Sequence, residues 1–139
     1  MKEPDRATFP RILIVDDQQS FRMMIRHYLQ EPTGIIHECT DGQQAVLHYM
    51  ESPVDIVIMD VNMPTMDGIT ATRHIRAYDP QARIVIQSSH SAYEFHAVAI
   101  EAGASAFISK TRLKELPAIV DTLLADRDNR QSEAVTEAK

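Results

Sequence analysis

Five residues that can do chemistry each stand at the end of a short apolar run: Asp16 and Asp17 after residues 12–15, Asp60 after 56–59, Ser88 at the end of 83–88, and Lys110 after 106–109. If these runs are parallel strands of one sheet, their carboxyl ends share an edge, and that edge is where ligands bind in open α/β sheets. Three carboxylates gathered in a partly buried cleft repel one another, so either some are protonated or a cation sits among them. A hard divalent ion is the economical solution. Mg²⁺ takes about six oxygen ligands and keeps several waters, which suits a shallow cleft offering two or three carboxylates. No histidine or cysteine joins the cluster, which argues against zinc. Lys110 is the cation of this edge, and its plain role is to neutralise Asp60. A lysine beside a carboxylate and a metal is also what a transferring phosphoryl group requires, because its charge develops on equatorial oxygens. Ser88 adds a hydroxyl donor. Taken alone, Asp60 reads equally well as a capping or turn aspartate at the end of a buried strand.

The elements that must position these residues follow from periodicity. Residues 11–15, 35–40, 56–60, 83–88 and 106–109 read as strands, and the unbroken apolar runs of the first, third and fourth suit strands covered on both faces. Between the strands, helical spacing recurs. Phe21, Met24, Ile25, Tyr28 and Leu29 lie on one face of a first helix that Ser20 can cap and that Pro32 and Gly34 end. Asp41-Gly42 turns into a second helix carrying Ala45, Val46, Tyr49 and Met50, closed by Pro53. Asp67 caps a third from Gly68, with Ile69, Thr72 and Ile75 inward and Asp79-Pro80 as its stop. The fourth spans 93–102, from Tyr93 to Ala102, with Gly103 at the left-handed cap position. Leu113, Leu116, Val120, Leu123 and Leu124 form the last, where Pro117 is tolerable in the first turn. Alternating strands and helices with short connections imply βαβ units, right-handed crossovers and a parallel sheet.

At 139 residues and 44% apolar content the chain fits one domain with a full core. Residues 1–10 read as a lead-in, 11–126 as the folded domain, and 127–139, polar and aperiodic, as a frayed or disordered tail. Fourteen basic against twenty acidic residues give a net charge of −6, which disfavours direct nucleic-acid binding. No apolar run reaches membrane-spanning length and the N-terminus has no signal-peptide core, so a cytoplasmic protein without membrane association is expected. Cys39, the single cysteine, lies in a predicted strand and reads as a small core residue.

In order along the chain, I-L-I-V-D-D at 12–17, Arg22, D-V-N-M-P-T-M-D-G at 60–68, I-V-I-Q-S-S at 84–89 and G-A-S-A-F-I-S-K at 103–110 closely resemble bacterial two-component response-regulator receiver domains. The resemblance spans about residues 11–126. It implies a flavodoxin-like (βα)5 three-layer sandwich with a parallel five-stranded sheet in the order 2-1-3-4-5. It further implies that Asp60 accepts a phosphoryl group from a histidine kinase or histidine phosphotransfer protein, forming an acyl phosphate. Asp17 matches a direct Mg²⁺ ligand, Asp16 one acting through water, and Asn62 the residue whose backbone carbonyl completes the site, with Mn²⁺ as the alternative ion. Lys110 and Ser88 match the phosphoryl-binding pair, Ser89 a further phosphoryl contact, and Phe107 the position of a rotating aromatic switch coupled to Ser88. Asn62 and His90, each two residues beyond a site residue, match positions that tune dephosphorylation. Arg22 is a common family residue without a derivable chemical role. Thr111 stands where most members carry proline and Ser89 where alanine or glycine is usual, and neither departure removes a group the reaction requires.

The resemblance implies a signalling switch that promotes its own phosphorylation and dephosphorylation rather than a turnover enzyme. With no output domain after residue 127, the stand-alone, single-domain type is expected. Its output partner would bind the face formed by the helix 93–102, the fifth strand and the last helix. A Mg²⁺-dependent aspartyl-nucleophile phosphatase is the alternative, but that class of enzyme uses a D-x-D pair and usually an inserted cap. Here the pair is adjacent and no insertion is long enough. A flavin-binding module would need backbone donors where this chain presents two carboxylates.

Overall fold

The computed structural model describes residues 9–29, 34–89 and 92–137. Five strands, β1 (Arg11–Val15), β2 (Ile35–Cys39), β3 (Ile56–Asp60), β4 (Ile84–Ser88) and β5 (Ala106–Ser109), alternate with α1 (Gln19–Leu29), α2 (Gly42–Glu51), α3 (Gly68–Tyr78), α4 (Ala92–Ala102) and α5 (Leu116–Glu137). All neighbouring strands pair in parallel, in the order β2-β1-β3-β4-β5. The expected flavodoxin-like architecture is therefore the one observed.

Alternation along each strand sorts the core into two layers. Leu13, Val15, Val57, Met59, Ile84 and Ile86 face α2, α3 and α4, where Ala45, Tyr49, Ile69, Ile75 and Ala99 meet them. Ile12, Ile14, Ile56, Ile58, Val85 and Ile108 face α1 and α5, against Ile25, Leu29, Leu116 and Val120. β3 and β4 are buried throughout, which accounts for their continuous apolar sequence. Edge strand β2 is largely exposed, and its sequence alternates only weakly. Cys39 is buried in the first layer, and burial together with the charge of Asp41 lifts its thiol pKa to about 11.

Several boundaries differ from expectation. Ser20 does not cap α1: the helix starts at Gln19, and the carbonyl of Gln18 accepts from the N–H groups of Phe21 and Arg22. Pro32 lies outside the described residues. Met24 and Met50 are exposed, because their helices bury the Ile25–Leu29 and Ala45–Tyr49 ridges and turn the adjacent position outward. A 3-10 turn, Lys110–Glu115, precedes α5, so Leu113 packs from that turn, and Pro117 occupies the second position of the helix proper. α5 also runs on to Glu137, in place of the frayed or disordered segment expected from Arg127. No glycine or proline follows Pro117 to stop it, and polar residues such as Glu, Gln and Arg are good helix formers. An aperiodic polar sequence excludes a packed face, not a helix.

The expected caps hold at Asp41 and Asp67, whose side chains accept from Gln44 N and Thr70 N. Gly103 adopts φ +111°, the left-handed side where glycine is favoured. Gly68 is required for a different reason. A Cβ there would lie 2.0 Å from the carbonyl oxygen of Asp60, and its N–H donates to Val61 O at 2.8 Å. The start of α3 is thus pressed against the backbone that carries Asp60. Gly68→Ala should lower the unfolding free energy by about 1–3 kcal/mol, read as a lower urea midpoint. An unchanged midpoint would show that this close approach is not a constraint.

Candidate functional site

The strand register brings the sequence-predicted residues to one edge. Asp60 ends β3 opposite Gln87 of β4, Ser88 of β4 lies opposite Ser109 of β5, and Asp16 and Lys110 follow β1 and β5 directly. By strand alternation Asp16, Asp60, Gln87 and Lys110 share the parity of the layer facing α1 and α5, whereas Ser88 and Phe107 share that of the opposite layer. The site is therefore split between charge on one side of the sheet and a hydroxyl with an aromatic ring on the other.

Its electrostatic centre is the ammonium of Lys110. Nζ lies 2.8 Å from Asp16 Oδ2 and 3.3 Å from Asp60 Oδ2, with side-chain exposures of 5%, 0% and 7%. The lysine is thus closer to Asp16 than to Asp60, the partner expected from sequence. Asp16 has its other oxygen occupied, since Oδ1 accepts from Gln18 N–H at 2.9 Å, and Gln87 Nε2 approaches Oδ2 at 3.4 Å. Asp17 is exposed at the mouth of the cleft. Single carboxylate oxygens of Asp16, Asp17 and Asp60 all lie within 4.8 Å of one another, a spacing that one metal ion can span. Burial, and then the charge of Asp16, raise the Asp60 pKa to about 6 against the opposing pull of Lys110. One ammonium does not neutralise three carboxylates.

Arg22, for which sequence offered no role, has a structural one. Its Nη1 donates to the carbonyl oxygen of Asp16 at 2.8 Å and its Nε to Glu38 at 2.7 Å, while Arg26 reaches the same carboxylate at 2.8 Å. α1 is so latched both to the β1 end and to edge strand β2. Burial would raise the Glu38 carboxyl, but the hydrogen bonds from Arg22 and Arg26 carry it below its usual value.

Two neighbours of the cluster were not singled out from sequence. Gln87 is fully buried beside Asp16, and its Oε1 has no hydrogen-bond partner. Its signal was a polar residue inside an otherwise apolar strand. Phe21 read only as part of a helix face, yet Lys110 Nζ sits 3.8 Å from its ring centroid. Of the remaining predicted residues, Ser88 is fully buried, Asn62 and Ser89 are exposed on the rim, and His90 lies outside the described residues. Phe107 is half-buried against the first layer, with the His96 ring edge-on at 5.6 Å between centroids.

The raised pKa of Asp60 carries a stability consequence. Its folded value of about 6 exceeds the ordinary 3.8, so the carboxyl costs stability that grows as pH rises above about 4 and is complete above about 6, and that cost vanishes at lower pH, where both states are protonated. In metal-free buffer at pH 7.5, Asp60→Asn should be more stable than the parent by about 1–2 kcal/mol, the gain closing as pH falls towards 4. A gain independent of pH, or none, would contradict the account of this carboxylate.

Comparison with known proteins identifies the family. A family profile described as the response regulator receiver domain matches residues 12–121. The chain is 46% identical over 101 residues to the chemotaxis protein CheY of Bacillus subtilis, covering 72% of this chain and 84% of that one. It is 41% identical over 101 residues to CheY of Thermotoga maritima, with the same shares covered. Among solved structures, a two-component response regulator of the LuxR family from Aurantimonas sp. SI85-9A1 superposes with a TM-score of 0.78 at 34% identity, over 94% of this chain and 99% of that one. A CheY-like receiver domain protein from Methanospirillum hungatei shares the fold, with a TM-score of 0.80 at 18% identity over 88% and 98%. With a site at the expected sheet edge and a profile match over most of its length, the chain belongs to the response-regulator receiver domain family of two-component signalling.

Proposed function

We propose that Asp60 is the phosphoacceptor of this receiver domain, taking a phosphoryl group from the phosphohistidine of a sensor histidine kinase or a histidine phosphotransfer protein. The observation that carries the reading is a buried carboxylate at a strand end, within 3.3 Å of a buried ammonium and within 4.8 Å of two further carboxylates. A carboxylate oxygen of Asp60 bonds to phosphorus as the donor's P–N bond breaks, its electron pair leaving with the imidazole nitrogen. Lys110 meets the charge that develops on the phosphoryl oxygens, and Ser88 and Ser89 supply hydroxyl donors from the end of β4.

The donor set fits Mg²⁺, with Mn²⁺ as the alternative: all-oxygen, three carboxylates, and one of them, Asp17, open to solvent. Asp17 and Asp60 would bind it directly, Asp16 through water, and the Asn62 backbone carbonyl would complete the set. Support for an indirect role of Asp16 comes from its two oxygens, which are already engaged by Gln18, Gln87 and Lys110. When bound, the ion supplies positive charge to the transferring oxygens. The same residues give no reason to expect turnover of a diffusing substrate, and receiver domains are signalling domains rather than turnover enzymes. Asn62 and His90 are assigned to tuning the lifetime of the acyl phosphate by flanking the path of attacking water.

Phosphorylation acts outward through Ser88 and Phe107. Phe107 pairs in strand register with Ile86, and Ser88 lies two residues further along β4 with the same parity. A phosphoryl group that draws the Ser88 hydroxyl inward opens room for the Phe107 ring, and the two packings shift in population by the difference in their contacts. Lacking a hydroxyl, this ring has no hydrogen bond to surrender in its outward state. A groove of about 380 Å³ lies on the same face, bordered by His96, Phe107, Arg112 and Ile119. We assign the output protein to this face, formed by α4, β5 and α5. The domain is assigned to residues 11–126 and to the cytoplasm; no helix among the described residues is long and apolar enough to cross a membrane.

Incubation with acetyl phosphate and Mg²⁺ should add one phosphate to the intact mass of the parent and none to Asp60→Asn; equal labelling of the two would refute the assignment. In NMR spectra with a beryllofluoride mimic, shifts should extend from Ser88 through α4 and around Phe107, and weaken in Ser88→Ala. Perturbations limited to residues near Asp60 would place the output elsewhere.

A further inference from the structure

Phe21 is the third residue of α1, and its ring is half-buried at the rim of the layer that α1 shares with α5. Packing alone would be served by any apolar side chain of similar size. The position of Lys110 is more demanding. Its ammonium has three donors, is nearly dry, and finds carboxylates at 2.8 and 3.3 Å on one side. On another side it meets the face of the Phe21 ring, 3.8 Å from the centroid. A cation at that distance over a ring face is attracted by the ring quadrupole, and more strongly where water is excluded.

The contact is also closed into a circuit. Asp16 accepts from Gln18 N–H, Gln18 O accepts the first helical N–H groups including that of Phe21, and Arg22 holds the Asp16 carbonyl. The carboxylate that binds Lys110 thereby also sets where the ring stands. We propose that Phe21 is a positioning residue for phosphoryl transfer, its ring face fixing the Lys110 ammonium between Asp16 and the reacting oxygen of Asp60. This role rests on the reading of Asp60 as the phosphoacceptor. As that oxygen bonds to phosphorus and the donor's bond to phosphorus breaks, with the electron pair departing on the donor, Lys110 must turn from Asp16 towards the phosphoryl oxygens. The carboxylate partner changes during this turn, whereas the ring face accompanies the ammonium in both positions and spares it a search through solvent.

The test is a double-mutant cycle on labelling by acetyl phosphate at saturating Mg²⁺, combined with a direct readout of the contact. Phe21→Leu, which keeps apolar bulk without a π face, should slow labelling about tenfold, and Phe21→Tyr should restore it. In a Lys110→Met background, Phe21→Leu should cost nothing further, because the group it positions is gone. Independently of labelling, the ε-methylene protons of Lys110 should resonate upfield in the parent from the ring current and return towards ordinary lysine values in Phe21→Leu. Equal losses in both backgrounds, or parent-like labelling of Phe21→Leu, would overturn the role, as would unshifted lysine protons in the parent. If the parent is not labelled at Asp60, the reading of the site fails and this role with it; labelling of the parent without coupling between Phe21 and Lys110 overturns this role alone.

Discussion

One buried ammonium shared between two buried carboxylates is the interaction on which the site depends. Lys110 lies against both Asp16 and Asp60, and a third carboxylate, Asp17, stands at the mouth of the same cleft. Burying a charge is costly unless it is paired and hydrogen-bonded. Asp16 meets that requirement fully, through Lys110, Gln18 and Gln87. Asp60 meets it only in part, and burial, then the charge of Asp16, raise its pKa to about 6. Of the two buried carboxylates, the one left less neutralised is the one assigned to bond with phosphorus, and the charge imbalance around it is what a cation would relieve.

The fold holds this imbalance by making everything around it rigid. β3 and β4 are buried on both faces, so the carboxylate at the end of β3 rests on a platform with no room to relax. Gly68 lets α3 start in contact with the Asp60 carbonyl, and Arg22 ties α1 to that of Asp16. Strand alternation then separates two tasks. The charged residues share a parity with the α1 and α5 side, while Ser88 and Phe107 share one with the α2, α3 and α4 side. The chemistry proposed for Asp60 and the change of shape proposed for Phe107 would therefore be coupled through β4 without the two competing for the same space.

Most of this was legible because burial on both faces writes itself into sequence as unbroken apolar runs, and a carboxylate, hydroxyl or ammonium that ends such a run is conspicuous. The helix faces at Ile25, Ala45 and Ile75 followed from helical periodicity, whereas the strand order was implied only by the resemblance to receiver domains. What was not legible depends on contacts between elements distant in sequence. Nothing in the pattern of α1 distinguishes Phe21 as a core residue from Phe21 as the floor beneath an ammonium 89 positions later. That Lys110 leans to Asp16 was equally hidden, since spacing reports the edge a residue reaches but not which of two carboxylates it prefers. The length of α5 was misread for a different reason: its later turns are polar, and patterning detects buried faces rather than helicity.

Asp16, Asp17 and Asp60 set three carboxylates against one ammonium, and a divalent cation would complete the cluster. Thermal unfolding of the parent and of Asp17→Ala across a Mg²⁺ titration tests this most directly, because a ligand bound only by the folded state stabilises it in proportion to the logarithm of its concentration above Kd. The parent's midpoint should rise steadily with Mg²⁺, and that of Asp17→Ala should start higher in metal-free buffer and stay nearly flat. Parallel responses of the two proteins, or a parent indifferent to Mg²⁺, would contradict the account.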